Sequence, residues 1–221
     1  KDGIFTAPHG LCFDKAGNGW SSSRDDSLLY RKDAGTKSLK SFPWRGVGLL
    51  CDRTGALLSV EETGLRKFDP RTNNSRKYPF DKPQKRVSEY SFYLFEDTDG
   101  AIWIFGFEGL TKATPENAGY RFEYFRNNPT NRSSLSSNIV HSVADDPLEP
   151  RRYLWVGTKS GGLNRLDKQS GQWKHYKKEQ GLPDNVVYGI LAEGAGTPRE
   201  RRPFIWLSTN NGLCRFDVRA E

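Results

Sequence analysis

The sequence predicts an all-β protein made of five copies of one small antiparallel sheet, and three observations predict it. Of the 221 residues only 35% are hydrophobic while 13% are aromatic, and 22 Gly and 12 Pro are spread along the chain. Few aliphatics, many aromatics and frequent turn formers suit short strands better than long amphipathic helices. Five segments also share one pattern: an apolar strand running into acidic residues and a turn, a strand bearing a large anchor residue, a Gly-Leu turn, and a strand ending in Asp. They read GLCFDKAGNGWSSSRDDSLLYRKD, GLLCDRTGALLSVEETGLRKFD, YLFEDTDGAIWIFGFEGLTKAT, SVADDPLEPRRYLWVGTKSGGLNRLD and ILAEGAGTPRERRPFIWLSTNNGLCRFD. Finally, the anchors Trp20, Leu58, Trp103, Trp155 and Trp206 are 38, 45, 52 and 51 residues apart. That period belongs to radially repeated sheets, the blades of a β-propeller.

Each element follows from the pattern. Strand A of each repeat is the apolar run before the acids, Val186 to Leu191 in the last, and strand B surrounds the anchor. Strand C begins near Leu28, Leu65, Leu110, Leu163 and Leu213, and four of the five close on an acid, Asp33, Asp69, Asp167 and Asp217. A fourth strand D is expected at Leu39-Phe42, Ser75-Phe80, Arg121-Arg126 and Gln172-Lys177, the last alternating as a strand with one wet face should. The chain is thus read as one domain, 1–221, with blades at about 1–42, 43–86, 87–134, 135–181 and 182–221. The fifth copy stops after strand C. Either Gly3-Ile4-Phe5 completes it and closes a five-blade ring, or the chain is a fragment of a larger, seven-bladed propeller. A start at Lys1 and the absence of Met suggest a mature or excised segment.

Composition also narrows function. No run approaches the roughly 18 apolar residues of a membrane span. The net charge of +7 comes from 34 Lys and Arg against 27 Asp and Glu spread through every repeat, which speaks against nucleic-acid binding. Cys12, Cys51 and Cys214 show no metal spacing and sit among apolar residues, where they read as small buried hydrophobes, with their redox state open. No metal, cofactor or catalytic constellation is expected. The serine-rich stretches lack a nucleophile context, and the acid pairs Glu96-Asp97 and Asp145-Asp146 are explained by turn chemistry.

The residues Asn138-Ile139-Val140-His141-Ser142-Val143 followed by LWVGTKSGGLNRLDKQSG, GLPDNVVYGIL followed by IWLSTNNGLCRFD, and the connector YFRNNPTNRSSLSSN resemble the two-component regulator propeller repeat. The match is weaker in the second repeat, where Leu58 replaces Trp, and in the first, where Ser27-Leu28 replaces Gly-Leu. Sialidase-type boxes, with Asp five residues before Trp, do not fit: those positions hold Lys15, Thr98 and Pro150. The resemblance implies the periplasmic sensor portion of a bacterial hybrid histidine kinase, often tuned to polysaccharide breakdown products. It also implies a homodimer formed through the parent protein and membrane attachment only through a segment outside this chain.

In a propeller the D-to-A connections and the B–C turns share one face, and the start of strand A points to the central opening. That column is His9, Val47, Phe92, His141 and Tyr188, suited to stacking on a sugar and hydrogen-bonding its hydroxyls. Just before it lie Trp44-Arg45, Asn138 and Asn185. The candidate ligand residues are therefore His9, Trp44, Arg45, Phe92, Asn138, His141, Asn185 and Tyr188. The expected function is ligand sensing, with an oligosaccharide as partner. The alternatives are an interaction or dimerisation scaffold without a small ligand, or a polysaccharide lyase or hydrolase.

Overall fold

The computed structural model describes residues 8–23, 27–82, 92–192 and 203–219, with Pro8 and His9 by backbone alone. Among these residues it is all-β apart from one short 3-10 turn at Lys178–Gln180. The first sheet contains β1 (Pro8–Phe13), β2 (Gly19–Ser23), β3 (Leu28–Lys32) and β4 (Leu39–Pro43). The second contains β5 (Val47–Cys51), β6 (Leu57–Glu61), β7 (Gly64–Asp69) and β8 (Asn74–Pro79). The third is built of β9 (Tyr93–Glu96), β10 (Ile102–Phe105), β11 (Leu110–Glu116) and β12 (Gly119–Phe125), the fourth of β13 (Val140–Asp145), β14 (Tyr153–Thr158), β15 (Leu163–Asp167) and β16 (Trp173–Tyr176). β17 (Val187–Ala192), β18 (Phe204–Thr209) and β19 (Gly212–Asp217) form a fifth, three-stranded among the described residues. In every sheet the strands lie in sequence order. The repeats read from the sequence are therefore the sheets; the candidate closing strand at Ile4 and Phe5 lies outside the described residues.

The chain divides into two compact units, residues 1–96 with 114–122, and residues 97–113 with 123–221. In the first, Trp20, Leu29, Trp44, Leu49, Leu57 and Phe68 form one core cluster. The paired rings Tyr78–Tyr120 and Phe80–Phe122, 5.0 and 4.9 Å apart, pack edge to face beside it. In the second, Trp155, Leu163, Tyr176, Leu182, Val187, Ile205, Leu207 and Val218 do the same. Packing one sheet's anchor against the next sheet's strands removes from water the large apolar area that a single sheet leaves exposed.

The anchors are held by chemistry that the repeat alignment does not reveal. The indole N–H of Trp20, Trp103 and Trp155 donates to Asp14, Asp97 and Asp146 at 2.9, 2.8 and 2.8 Å. The other oxygen of each carboxylate accepts backbone N–H groups of the A–B turn, from Ala16 and Asn18, Asp99 and Ala101, or Leu148 and Glu149. Each acid thus ties a turn to the core and leaves neither group unpaired. It stands six residues before Trp20 and Trp103 and nine before Trp155, so a search five residues before finds nothing.

A basic residue faces each anchor across the ladder: Arg31, Lys67, Lys112, Arg165 and Arg215. Where the anchor is Trp20, Trp103 or Trp155 the cation sits 5.4, 5.5 or 5.6 Å from the indole. Where it is Leu58 there is no indole N–H, and Lys67 itself reaches the buried Asp52 at 2.7 Å.

Two cysteines are not separate hydrophobes. Cys12 and Cys51, in the first strands of neighbouring sheets, form a disulfide across a Cα–Cα distance of 5.8 Å. Their separation of 39 residues is one more than the 38 between the anchors Trp20 and Leu58, so the two cysteines sit one repeat position apart, on opposite faces of their strands, and meet where the neighbouring sheets turn those faces together. Cys214 remains a thiol, its pKa pushed up by burial. Three of the four acids that close strand C cap the following turn, Asp167 accepting from Gln169 and Ser170, Asp69 from Arg71 and Asp217 from Arg219, while Asp33 pairs with Arg31 and Lys40 instead.

Candidate functional site

Among the described residues, the ladder at the start of strand A is irregular in β1, β5, β13 and β17. In β1, β13 and β17 the ladder skips one residue, and the skipped residues are His9, His141 and Tyr188. A bulged residue is released from the pleat and its side chain is re-aimed. Val47 pairs directly with Val60, the register shift falling after it, and Phe92 precedes β9. Both are buried, Phe92 at 3% exposure. The sequence column thus divides, with His141 and Tyr188 presented and Val47 and Phe92 in the core. His9 is at a bulge; its side chain is outside the described set.

His141 and Tyr188 come together. Their rings are 5.3 Å apart at 36°, and the Tyr188 hydroxyl donates to Asn210 Oδ1 at 2.8 Å. Tyr188 remains 52% exposed, so one face of a fixed ring is open. His141 Nε2 and the neighbouring Ser142 Oγ are buried without a hydrogen-bond partner. Burial, and secondarily the positive Lys159, push the His141 pKa down, so the ring is neutral at pH 7 with one nitrogen to donate and one to accept. An aromatic platform, a neutral imidazole, a hydroxyl, an amide and a cation can stack on a polar ring and hydrogen-bond its substituents.

The other candidates are placed differently. Asn138 and Asn185 act on the backbone: their side-chain oxygens accept from Asn127 N at 2.7 Å and Lys178 N at 2.9 Å. Their carbonyls accept from Gly109 and Gly162 in the B–C turn of the sheet before. Both glycines have positive φ, +82° and +72°, and a Cβ would lie 2.5 and 2.1 Å from the Phe125 and Tyr176 carbonyl oxygens. Only Gly fits there. These bonds join the D-to-A connections to the B–C turns on one face, as the sequence argument requires. Trp44 is 4% exposed, edge-on to Phe68 at 6.1 Å, and offers no ring face for stacking. Arg45 beside it is exposed.

Asn210 and the bulges were missed by sequence reasoning. Nothing local distinguishes Asn210 from other residues of the B–C turns, and a bulge depends on pairing with another strand. Among the described residues no group of three or more His, Cys, Asp or Glu side chains could hold a metal ion.

Sheets of sequential antiparallel strands, joined by anchor packing and by turns on one face, define a β-propeller-type fold. The structure superposes on the extracellular domain of a candidate hybrid two-component system of B. thetaiotaomicron with a TM-score of 0.68 at 21% identity, over 97% of this chain and 27% of that one. It superposes on PorZ, an essential surface component of the type-IX secretion system of Porphyromonas gingivalis, at 0.67 and 15% identity, over 94% and 31%. Virginiamycin B lyase of Staphylococcus aureus follows at 0.61 and 16%, over 96% and 70%. The chain therefore spans about a quarter to a third of the first two proteins and has the fold they share. No protein-family model and no curated protein matches it by sequence. No helix among the described residues is long and apolar enough to cross a membrane.

Proposed function

We propose that the chain is an extracytoplasmic ligand-sensing module of a two-component signalling protein, which binds an oligosaccharide or similar polar ligand at His141, Tyr188 and Asn210. The observation that carries the reading is the bulge-mounted pair: two successive sheets break their ladders to present His141 and Tyr188 side by side, with buried polar atoms left unpartnered beneath. Buried donors and acceptors without partners are costly, and a polyhydroxylated ligand supplies what they lack. The Cys12–Cys51 disulfide supports a location outside the reducing cytoplasm, on the periplasmic or extracellular face of a bacterial inner membrane. Structural likeness to the B. thetaiotaomicron domain supports the same setting.

Calorimetric titration of the wild type and Tyr188→Ala against a panel of neutral and acidic oligosaccharides tests this reading. Binding that disappears in Tyr188→Ala supports it. Saturating titrations without heat, or binding indifferent to Tyr188, overturn it. The fold is shared with a lyase as well as with a signalling domain, so the same panel is assayed for new reducing ends and unsaturated sugars, whose release would make the chain an enzyme.

A second reading has its own support. The outer face of the fifth sheet exposes Leu191, Trp206 and Leu213, Trp206 at 38% and Leu213 at 75%, around a nearly wholly apolar groove. The same repeat position is fully buried at Trp155, under Ile205, Leu207 and the Phe216 ring. A face of this kind suits protein interaction. We propose that a further sheet of the same repeat covers it, in keeping with a propeller larger than five blades. Light scattering on the isolated chain checks this: exposed Trp206 faces drive concentration-dependent association that Trp206→Lys abolishes, whereas a monomer at all concentrations argues that nothing needs to cover them.

A further inference from the structure

Two adjoining cavities in the first compact unit play no part in the His141–Tyr188 site. One, of about 570 Å³, is lined by Ser23, Ser27, Trp44, Arg45, Glu61 and Lys77, with others. The second, of about 480 Å³, shares Ser27, Trp44 and Arg45 and adds Arg66, Asn73 and Ser75. Among the described residues its lining includes two guanidinium groups and no carboxylate. Arg66 is held between the Glu61 carboxylate and Ser75 Oγ, 2.7 Å from the latter, and Lys77 shares Glu61 at 3.1 Å. Burial alone would raise the Glu61 pKa, but bonds from Arg66 and Lys77 prevail and hold it below the ordinary value. That carboxylate is therefore ionised and already neutralises one of its two cations.

Arg45 has no such partner. Its backbone is fixed, its carbonyl accepting from Ser59 Oγ at 3.0 Å, while its guanidinium makes no ion pair among the described residues. The indole N–H of Trp44 is buried and has no hydrogen-bond acceptor. Among the described residues, a cation without an ion pair and an orphaned neutral donor line the smaller cavity, which no carboxylate lines, and together form a set of donors lacking an acceptor. Both also line the larger cavity, which Glu61 and Glu62 line as well.

We infer that the smaller cavity binds a compact oxyanion, a carboxylate or a sulfate, with Arg45 supplying the charge and the Trp44 N–H a hydrogen bond. Charge selects the ligand more than bond count does: a hydroxyl oxygen can accept from both donors but leaves the Arg45 charge uncompensated, whereas an oxyanion accepts from both and carries the opposite charge.

Titration of the whole chain with inorganic sulfate, with glucuronate and with glucose, read by heat and by intrinsic tryptophan fluorescence, tests the site. Sulfate, glucuronate or both should bind at millimolar concentration while neutral glucose does not, and which anion binds identifies the source of the oxyanion. Arg45→Gln, a change at an exposed side chain, should weaken the binding roughly tenfold. Trp44→Phe keeps an aromatic ring but removes the N–H and should weaken it as well, with the unfolding midpoint as a check on its packing. Tyr188→Ala should leave it intact, so failure here and failure of the oligosaccharide site are told apart. An unresponsive wild type, or anion binding that survives Arg45→Gln, overturns the inference.

Discussion

The second and fourth sheets carry one pattern with different residues in its central position. In the fourth, Trp155 fills the core, donates its indole N–H to Asp146 and takes Arg165 over its ring. In the second, Leu58 fills the core, and the cation opposite, Lys67, bonds to the turn acid Asp52 instead. The second sheet is also tied to the first by the Cys12–Cys51 disulfide. The repeat therefore needs two things at this position: apolar bulk against the next sheet, and a donor for the buried carboxylate. Trp supplies both; Leu supplies one, and the facing lysine the other.

Four substitutions break or sharpen that comparison. Trp155→Ala removes the bulk and the donor together and should cost about 3–5 kcal/mol, measured by urea unfolding. Cys12→Ser should cost up to about 4 kcal/mol in the chain-entropy account of a loop this long, and the same loss should follow reduction of the wild type. Equal stability with and without reductant would mean that the disulfide contributes nothing to the second sheet's hold.

Lys67→Met leaves Asp52 buried beside an apolar chain and should cost about 1–3 kcal/mol at neutral pH. Burial, the largest influence on Asp52, raises its pKa, but bonds from Lys67, Thr54 and Ala56 outweigh it and the folded value lies below 3.8. A lowered carboxyl pKa stabilises fully above the unfolded value of 3.8 and less as pH falls below it. The gap between wild type and Lys67→Met should therefore shrink on acidification below that pH; a gap independent of pH would mean that the lysine acts through packing alone. Trp206→Ala should have the smallest effect, well under half that of Trp155→Ala, because the same repeat position is already partly in water.

Much of this was legible beforehand. Composition, period and the anchor column placed every observed strand to within a few residues, because the alternation of a strand and the chemistry of its turns are written locally. An acid closing strand C is a local signal of the same kind, and Asp167, Asp69 and Asp217 accept backbone bonds from the turn that follows. The candidate site was half legible. His141 and Tyr188 fell in one column by alignment, yet so did Val47 and Phe92, and nothing local separates the presented pair from the buried one. Trp44 shows the same gap: an aromatic in a loop sequence, it packs its ring against Phe68 instead of presenting a face for stacking.

By itself the sequence determined that this chain forms repeated antiparallel sheets, where each begins and which side chains must leave water, since those follow from periodicity and turn formers a few residues apart. Tertiary structure alone decided that Cys12 meets Cys51, that buried acids bond to indoles six to nine residues on, and that a skipped residue turns His141 and Tyr188 out side by side. Each of those depends on where a second strand or sheet comes to rest, and that position is set by packing over the whole unit.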